Sequence, residues 1–326
     1  MANDRRAAIK KLKSLYLSPK IDINDFRAKI NETFSSVFLP NNVEREEKKY
    51  KNIKCDVLFP EMYASNRVLF YVHGGSFVAG SREAYRPFAA ALANATASKT
   101  YLPEFRLAPA HPFPAALEDV QEVFRDVYAE TQNSLALNAD SVGGSKEPEI
   151  IIAADTSGAS IALALIFGLS SEIRSSIRQI ILMSPWLDFS EENEIYKNKK
   201  VSDEVFTADS IRLASEHYTY QENWENPKVS PLKASRDLLE HFPPVFIQLG
   251  EKEIFNDSAF VFKEMLKSVA CKCEIDIWKN MMPMFQLADD ELSEAHLAVE
   301  KIGNLITAKD YSDESVREIQ LKLERS

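Results

Sequence analysis

The stretch that decides the fold is YVHGGSFVAGS, residues 71–81, which overlaps the end of an apolar run at 68–72. A strand that ends in Gly74 and Gly75 can turn its backbone amides toward a ligand, because glycine has no Cβ to block the approach. In an ester hydrolase such amides stabilise the oxyanion that develops during the reaction. Taken alone, His-Gly-Gly is more typical of an ordinary strand-to-helix turn, so the remainder of the chain has to decide between the two.

Apolar runs of strand length recur along the chain, with helical patterns between them. Several are continuous β-branched or aromatic runs, as in strands covered on both faces. Strands are predicted at 53–59, 68–72, 149–153, 179–183, 245–249 and 274–278, with a weaker one at 100–102. Helices are predicted at 86–97, 114–131, 157–170, 257–268 and 292–306. This alternation predicts an α/β protein with a mostly parallel central sheet flanked by helices.

The remaining segments lie outside this alternation. Residues 1–45 have the pattern of basic amphipathic helices, and we expect them to form an N-terminal cap on an α/β domain at 46–308. A polar block at about 189–226 is expected to add a cap insertion, and 133–148 is expected to be a surface loop. The tail, 309–326, has apolar residues at helical spacing and is predicted to be a solvated terminal helix, with a partner-docking helix as the alternative.

The composition excludes several classes of protein. Acidic residues number 49 against 39 basic ones in 326, giving a net charge of −10, which argues against nucleic-acid binding. Three cysteines cannot form a disulfide framework, so we expect a cytoplasmic protein. No apolar stretch approaches the length of a membrane span, and the first residues lack the apolar core of a signal peptide. The basic N-terminal helix could contact anionic lipid, although a cap helix with a solvated face fits it better.

Four further motifs decide how the stretch at 71–81 is interpreted. They are EFRLAPAHPFPAALEDV (104–120), MSPWLDFS (183–190), SPLKASRDLLEHFPPVFIQLGEKEIFND (230–257) and WKNMMPMFQL (278–287). In this order and spacing, the chain from about Tyr50 to Ile306 resembles the hormone-sensitive-lipase-like family of α/β-hydrolase esterases. The resemblance implies an eight-stranded sheet, a cap over the pocket, and hydrolysis of carboxylic esters by a Ser-Asp/Glu-His triad.

The triad that the resemblance implies is incomplete in this chain. The family's nucleophile elbow, Gly-Asp-Ser-Ala-Gly-Gly, matches residues 154–159, and the serine position holds Thr156. The acid position holds Glu253, which is an acceptable triad carboxylate. The histidine of the family's Met-x-His-x-Phe is replaced by Pro283. The oxyanion hole that the resemblance implies would use Gly74, Gly75 and the amide of Ser157.

These substitutions change the expected chemistry. A hydroxyl is a weak nucleophile until an imidazole takes its proton, and proline has no group that can do so. The family's elbow holds its nucleophile at positive φ, which strains a β-branched residue, and Ala154 and Ala159 add Cβ atoms where strand and helix pass closely. We therefore expect a relaxed elbow with negative φ at Thr156. Glu253, without its imidazole, should bond to amides, a hydroxyl or a cation, or reach solvent.

The sequence thus predicts a catalytically inactive pseudo-esterase that binds a small acyl, ester or carboxylate ligand. Weak or relocated carboxylesterase activity on short acyl esters is one alternative. A structural or interaction protein with a closed pocket is another. No cofactor and no metal site are predicted, since Cys271 and Cys273 have no second ligand pair at a zinc-like spacing. A homodimer remains open.

Overall fold

The fold is an α/β-hydrolase sheet covered by helices, as the sequence predicts. The computed structural model describes residues 2–35, 39–137, 147–190, 193 and 203–323, with the side chains of the last helix described as far as residue 308. Eight strands form one sheet in the order β1-β2-β4-β3-β5-β6-β7-β8. They are β1 Val43–Tyr50, β2 Ile53–Pro60, β3 Arg67–Val72, β4 Lys99–Pro103, β5 Glu149–Asp155, β6 Ile177–Met183, β7 Val245–Gly250 and β8 Cys273–Trp278.

The central strands are parallel and buried on both faces. Every residue of β3 and β7 is buried, and in β5 each residue after Glu149 is buried. From β4 to β8 all neighbouring strands pair in parallel, whereas β1 and β2 join antiparallel at one edge. The continuous apolar runs seen in the sequence reflect this position between two helical layers.

Strand β1 is the element that the sequence pattern misses. Its sequence, VEREEKKY, has only Val43 and Tyr50 buried, because it lies at the sheet edge and pairs on one side with β2. Charged residues on an edge strand discourage pairing with other chains. The strand begins inside the segment 1–45 that was expected to hold cap helices, so that part of the expectation is wrong.

Ten α-helices lie in the described ranges. They are α1 Ala2–Leu12, α2 Ile23–Ser35, α3 Arg82–Thr96, α4 Ala115–Leu137, α5 Thr156–Phe167, α6 Ser171–Ser175, α7 Ala208–Tyr218, α8 Arg236–Leu239, α9 Asn256–Ser268 and α10 Ser293–Leu323. Helix α3 begins four residues before its predicted start because the Ser81 hydroxyl caps it, accepting from the Ala84 amide at 3.1 Å. No helix in the described part of the chain is long and apolar enough to cross a membrane.

Two predicted boundaries shift in the structure. Helix α4 continues to Leu137, so the first residues of the expected surface loop at 133–148 are helical, and 138–146 lie outside the described residues. Helix α10 runs without a break to Leu323, so residues 309–323 of the expected tail continue the preceding helix, and 324–326 lie outside the described residues. Most of 191–202, in the expected cap insertion, also lies outside the described residues.

The N-terminal helices rest on the carboxyl side of the sheet. Helix α2 packs against α3 through buried Phe26, Ile30 and Phe34. The Arg27 guanidinium donates to the carbonyl oxygens of Val78 at 2.7 Å and Ala108 at 3.0 Å. This side chain fixes α2 above the loop that follows β3.

Candidate functional site

The residues of the predicted site gather at one edge of the sheet. Thr156 directly follows β5, Ser184 directly follows β6, and Glu253 lies three residues after the end of β7. Gly74 follows β3 in the same way, and β3, β5, β6 and β7 are parallel neighbours. The carboxyl ends of parallel strands meet at one edge, which is where open α/β sheets bind ligands.

The elbow keeps a left-handed backbone at the nucleophile position. Thr156 is the first residue of α5 and has φ +39°, so the expectation of a relaxed turn with negative φ is wrong. Its hydroxyl donates to Asp155 Oδ2 at 3.1 Å, and its carbonyl accepts from the Trp186 amide at 3.0 Å. A non-glycine residue in this region stores on the order of 1–3 kcal/mol of strain, which these contacts help to offset.

Close packing of α5 on the sheet explains why the elbow persists. A Cβ added at Gly158 would lie 2.3 Å from the Val72 carbonyl oxygen and 2.5 Å from that of His73. Helix α5 therefore approaches the end of β3 backbone to backbone, and its first turn has little freedom to move. Ala154 and Ala159 are fully buried within this arrangement, so the expectation that their methyl groups relax the elbow is also wrong.

Asp155 organises the start of the elbow. Its Oδ1 accepts from the Tyr71 hydroxyl at 2.7 Å and from the Gly74 amide at 2.8 Å. Complete burial outweighs these hydrogen bonds and raises the pKa of Asp155 to about 6. The Gly74 amide is directed at this carboxylate and so differs from the oxyanion-hole donor that the family resemblance implies.

The loop after β3 retains other free amides. Gly75 has φ +115°, and a Cβ there would lie 2.2 Å from the Ala79 carbonyl oxygen, so glycine is required. The next two residues, Ser76 and Phe77, also have positive φ, 56° and 63°. Within the described ranges, the amides of Gly75 and Ser76 have no hydrogen-bond acceptor. The Phe77 amide donates to Ser157 Oγ at 3.2 Å, which ties this loop to helix α5.

Glu253 is buried, and its carboxyl accepts hydrogen bonds from a hydroxyl and a backbone amide. Its Oε1 accepts from the Ser184 hydroxyl at 2.8 Å and from the Gly250 amide, as expected for a carboxylate without its histidine. Its Oε2 is buried and has no partner in the described structure. Burial raises the pKa of this carboxyl well above its usual range.

The segment around Pro283 packs against this carboxylate without offering a base. The Met284 amide donates to Ser184 Oγ at 2.9 Å, so Ser184 links the segment to Glu253. Pro283 itself is buried, as are Met282 and Met284. A Cβ at Gly250 would lie 2.5 Å from the Met281 carbonyl oxygen, so the segment presses directly on the end of β7.

Histidine does not replace the base elsewhere in the described structure. His73 stacks between Tyr85 and Phe105, with ring centroids at 4.9 and 4.3 Å, and burial lowers its pKa to about 4. His296 is exposed and lies 3.4 Å from the carboxylates of Asp289 and Glu300. His111 and His241 are exposed and His217 is half-buried, and none of the five has a hydrogen bond with Thr156, Ser157 or Glu253.

An aromatic cluster occupies the space beside the elbow. Phe77 stacks on Tyr218 of α7 at 4.0 Å between centroids and lies 5.2 Å from both Trp186 and Phe189. All four side chains are buried, and the backbone of Trp186 is bonded to Thr156. Sequence reasoning did not single out these residues, although Phe77, Trp186 and Phe189 lie in the motifs that carry the family resemblance. Five of the cavities on the described surface are lined by other residues, and none of these five is lined by Thr156, Glu253 or Pro283.

The described residues offer no metal site, since no group of three or more His, Cys, Asp or Glu side chains is placed to hold an ion. Cys55 is buried, and Cys271 and Cys273 are half-buried free thiols.

The sheet order, the elbow at the end of β5 and the loop after β3 define an α/β hydrolase of the esterase type. The profile of the α/β hydrolase fold family matches residues 69–287. An esterase of Acinetobacter venetianus is 29% identical over 248 residues, covering 76% of this chain and 77% of that protein. An acetyl-hydrolase of Streptomyces hygroscopicus is 25% identical over 237 residues, covering 73% and 74%.

Solved structures give the same fold. A crystal structure of an esterase from the bacterial hormone-sensitive lipase family superimposes with a TM-score of 0.81 at 22% identity, covering 94% of this chain and 98% of that one. The chain therefore belongs to the α/β-hydrolase fold family, and the family predicted from its motifs is confirmed.

Proposed function

We propose that this chain is a non-catalytic member of its esterase-like family. The observation that carries the proposal is the hydrogen-bond chain from the Met284 amide through Ser184 to Glu253 Oε1, in the segment where the family has its histidine. In a working triad the carboxylate orients an imidazole, which then takes the proton of the nucleophile. Here the carboxylate accepts from a serine and an amide, and the segment that should supply the base supplies Pro283.

Without a base, Thr156 has no route to a reactive alkoxide. Its proton is directed at Asp155 Oδ2, at 3.1 Å, and no described imidazole is hydrogen-bonded to Thr156 to carry that proton on to a leaving group. The Thr156 side chain is buried as well. Relocated catalysis also lacks support, because in the described structure no histidine side chain is hydrogen-bonded to Thr156, Ser157 or Glu253.

The proposed role is binding of a small acyl, ester or carboxylate ligand. Three features support it: the left-handed backbone of Thr156, the unpaired amides of Gly75 and Ser76, and the first-turn amide of Ser157 at the positive end of a 12-residue helix. Donors of this kind hold a carbonyl or carboxylate oxygen without any chemistry. To reach these donors, a ligand has to displace part of the aromatic cluster formed by Phe77, Trp186, Phe189 and Tyr218. The same cluster favours the rival role, an interaction protein with a closed pocket.

Ester turnover tests the inactivity. Hydrolysis of p-nitrophenyl acetate and butyrate by the wild-type chain should equal that of Thr156→Ala, since neither protein has a base. Turnover at least tenfold above that control would contradict the proposal. Restoring the triad with Thr156→Ser and Pro283→His should recover activity weakly at best, because the Met284 segment and Ser184 already occupy the surroundings of Glu253.

Ligand binding separates the two inactive roles. Calorimetric titration with butyrate should show saturable binding, and 1-butanol, which has the same chain without the carboxylate, should bind more weakly because it offers the free amides no charged acceptor. Absence of binding in the wild-type chain, together with binding after Phe77→Ala opens the cluster, would instead establish the closed pocket.

Three further predictions accompany this proposal. The helices before Val43 act as the cap of the domain, the chain works in the cytoplasm, and its surface leaves a homodimer possible. Sedimentation equilibrium tests the last of these, and a single species at the mass of one chain, 36.9 kDa, would exclude a dimer.

A further inference from the structure

A crevice of about 180 Å³ lies between the N-terminal helices and the α/β domain, away from the elbow. Its walls are mostly apolar and come from four parts of the chain: Phe34 of α2, Pro87, Phe88 and Ala91 of α3, Leu287 and Val299. A cavity of about 150 Å³ is enough to hold one benzene ring. The crevice therefore has room for a single small ring or a short aliphatic chain.

Gln286 gives the crevice one polar group with a fixed direction. This side chain lines the crevice and is fully buried, and its Nε2 donates to Gln248 Oε1 at 2.9 Å. Gln248 Nε2 in turn donates to Asp276 Oδ2 at 3.1 Å and to the Ala298 carbonyl at 3.2 Å. A carboxylate and a carbonyl only accept, so both amide orientations are fixed by the end of this chain.

The orientation leaves Gln286 Oε1 as an acceptor without a donor. No described group donates to this buried oxygen, and an unsatisfied buried acceptor is unfavourable by about 1–3 kcal/mol. Gln286 has no exposed surface in this structure, so a ligand hydroxyl in the crevice supplies the missing donor only when the Gln286 side chain moves toward the ligand. The structure thus favours a ligand that donates a hydrogen bond over one that can only accept.

The rim of the crevice selects against anions. Lys11 of α1 pairs with Asp290 at 3.2 Å and with Glu291 at 3.1 Å, so its charge is already compensated. Asp289 and Asp290 also border the crevice, and both are exposed. The rim is therefore net acidic, and a carboxylate ligand would meet repulsion there.

We infer that this crevice binds a small neutral molecule with an apolar body and one hydrogen-bond donor, of the phenol or short-alcohol class. The site shares no residue with the elbow or the aromatic cluster, and it does not depend on the proposed function. A ligand there would touch α1, α2, α3 and α10 together and would fasten the N-terminal helices to the domain.

Phenol is the probe for the first test, with toluene and benzoate as comparisons. Titration followed by calorimetry or by ligand-observed NMR should give a dissociation constant in about the millimolar range for phenol, as a ligand of this size allows. Toluene should bind at least fivefold more weakly because it has no donor, and benzoate should not bind. Equal binding of phenol and toluene would overturn the hydrogen-bond assignment, and no binding of phenol would overturn the site.

Two variants and a control locate the binding. Ala91→Leu extends a side chain into the crevice from α3 and should weaken phenol binding at least tenfold. Ala129→Leu makes the same change at an exposed position of α4 and should leave binding unchanged. Gln286→Leu removes the acceptor and should abolish the preference for phenol over toluene while toluene still binds. Unchanged phenol binding in Ala91→Leu, in a protein whose circular dichroism is that of the wild type, would refute the inference.

Discussion

Replacing Asp155 by asparagine should change the stability of the protein relative to wild type in a pH-dependent way. The variant should gain more unfolding free energy over wild type at neutral pH than at acidic pH. Asparagine has the same shape, and its oxygen can keep the two hydrogen bonds from Tyr71 and Gly74. Its Nδ2 would face the Thr156 hydroxyl, which can turn to accept. The substitution therefore removes a titrating charge and leaves the hydrogen-bond pattern intact.

The size of this stability difference follows from the pKa of Asp155. Burial raises it from 3.8 to about 6, so the folded protein holds this proton more tightly than the unfolded chain does. The resulting stability is complete below pH 3.8 and is lost as the pH rises through about 6. The whole loss is about 3 kcal/mol, at about 1.4 kcal/mol for each pH unit between the two pKa values, and about 2 kcal/mol of it falls between pH 4.5 and 7.

Urea denaturation at several pH values measures this effect as a difference between the two proteins. The free energy of unfolding of Asp155→Asn minus that of wild type should increase by about 2 kcal/mol from pH 4.5 to 7. The wild-type curve alone would mask it, because His73, whose pKa burial lowers to about 4, acts in the opposite direction over an overlapping range. A difference that is flat or falls with pH would refute the reasoning about Asp155.

Two other substitutions and one titration probe the same region. Gly158→Ala should lower the free energy of unfolding in urea by about 1–3 kcal/mol or more, because the new Cβ would lie 2.3 Å from the Val72 carbonyl oxygen. The control Gly168→Ala first meets the flexible Gln121 side chain at 3.2 Å, and its loss of unfolding free energy should be less than half as large. Phe77→Ala should cost about 3–5 kcal/mol by emptying the aromatic cluster, and Phe260→Ala, at a 45% exposed side chain, should cost less than about 1 kcal/mol in the same experiment. The His73 imidazole should titrate near pH 4 by NMR, with its stabilising effect complete above pH 6.5 and lost as the pH falls, and a midpoint near 6.5 would contradict its burial.

The fold could be predicted from the sequence wherever burial leaves a pattern. The parallel strands are continuous apolar runs because helices cover both faces, and all seven predicted strands are present. Strand β1 could not be predicted in this way, since an exposed edge strand such as VEREEKKY has no apolar alternation. The extension of α4 to Leu137 was obscured by a polar sequence that suits a loop and an exposed helix equally well.

The site was predictable as a set of positions but not as a network. Motif spacing points to Thr156, Glu253 and Pro283, and in the structure the first two follow the carboxyl ends of β5 and β7. The link from Met284 through Ser184 to Glu253 could not be anticipated, because it depends on Ser184 having φ +46° and on the path of a loop 100 residues away. Propensity also gave the wrong backbone at Thr156, since it describes one residue in isolation.

The elbow keeps its left-handed backbone although the family's serine and histidine positions hold Thr156 and Pro283, because different forces fix the backbone and the triad side chains. Catalysis needs particular side chains, and the replacement of a histidine by Pro283 leaves the packing of that buried segment intact. The elbow backbone is fixed by contacts that chemistry does not require: α5 against β3 at Gly158, the Asp155 hydrogen bonds, and the bond between Thr156 and Trp186. Relaxing φ at Thr156 would recover on the order of 1–3 kcal/mol of strain but would disturb all of these together. A left-handed elbow is therefore a property of this fold's packing, and its presence here is compatible with a protein that no longer cleaves esters.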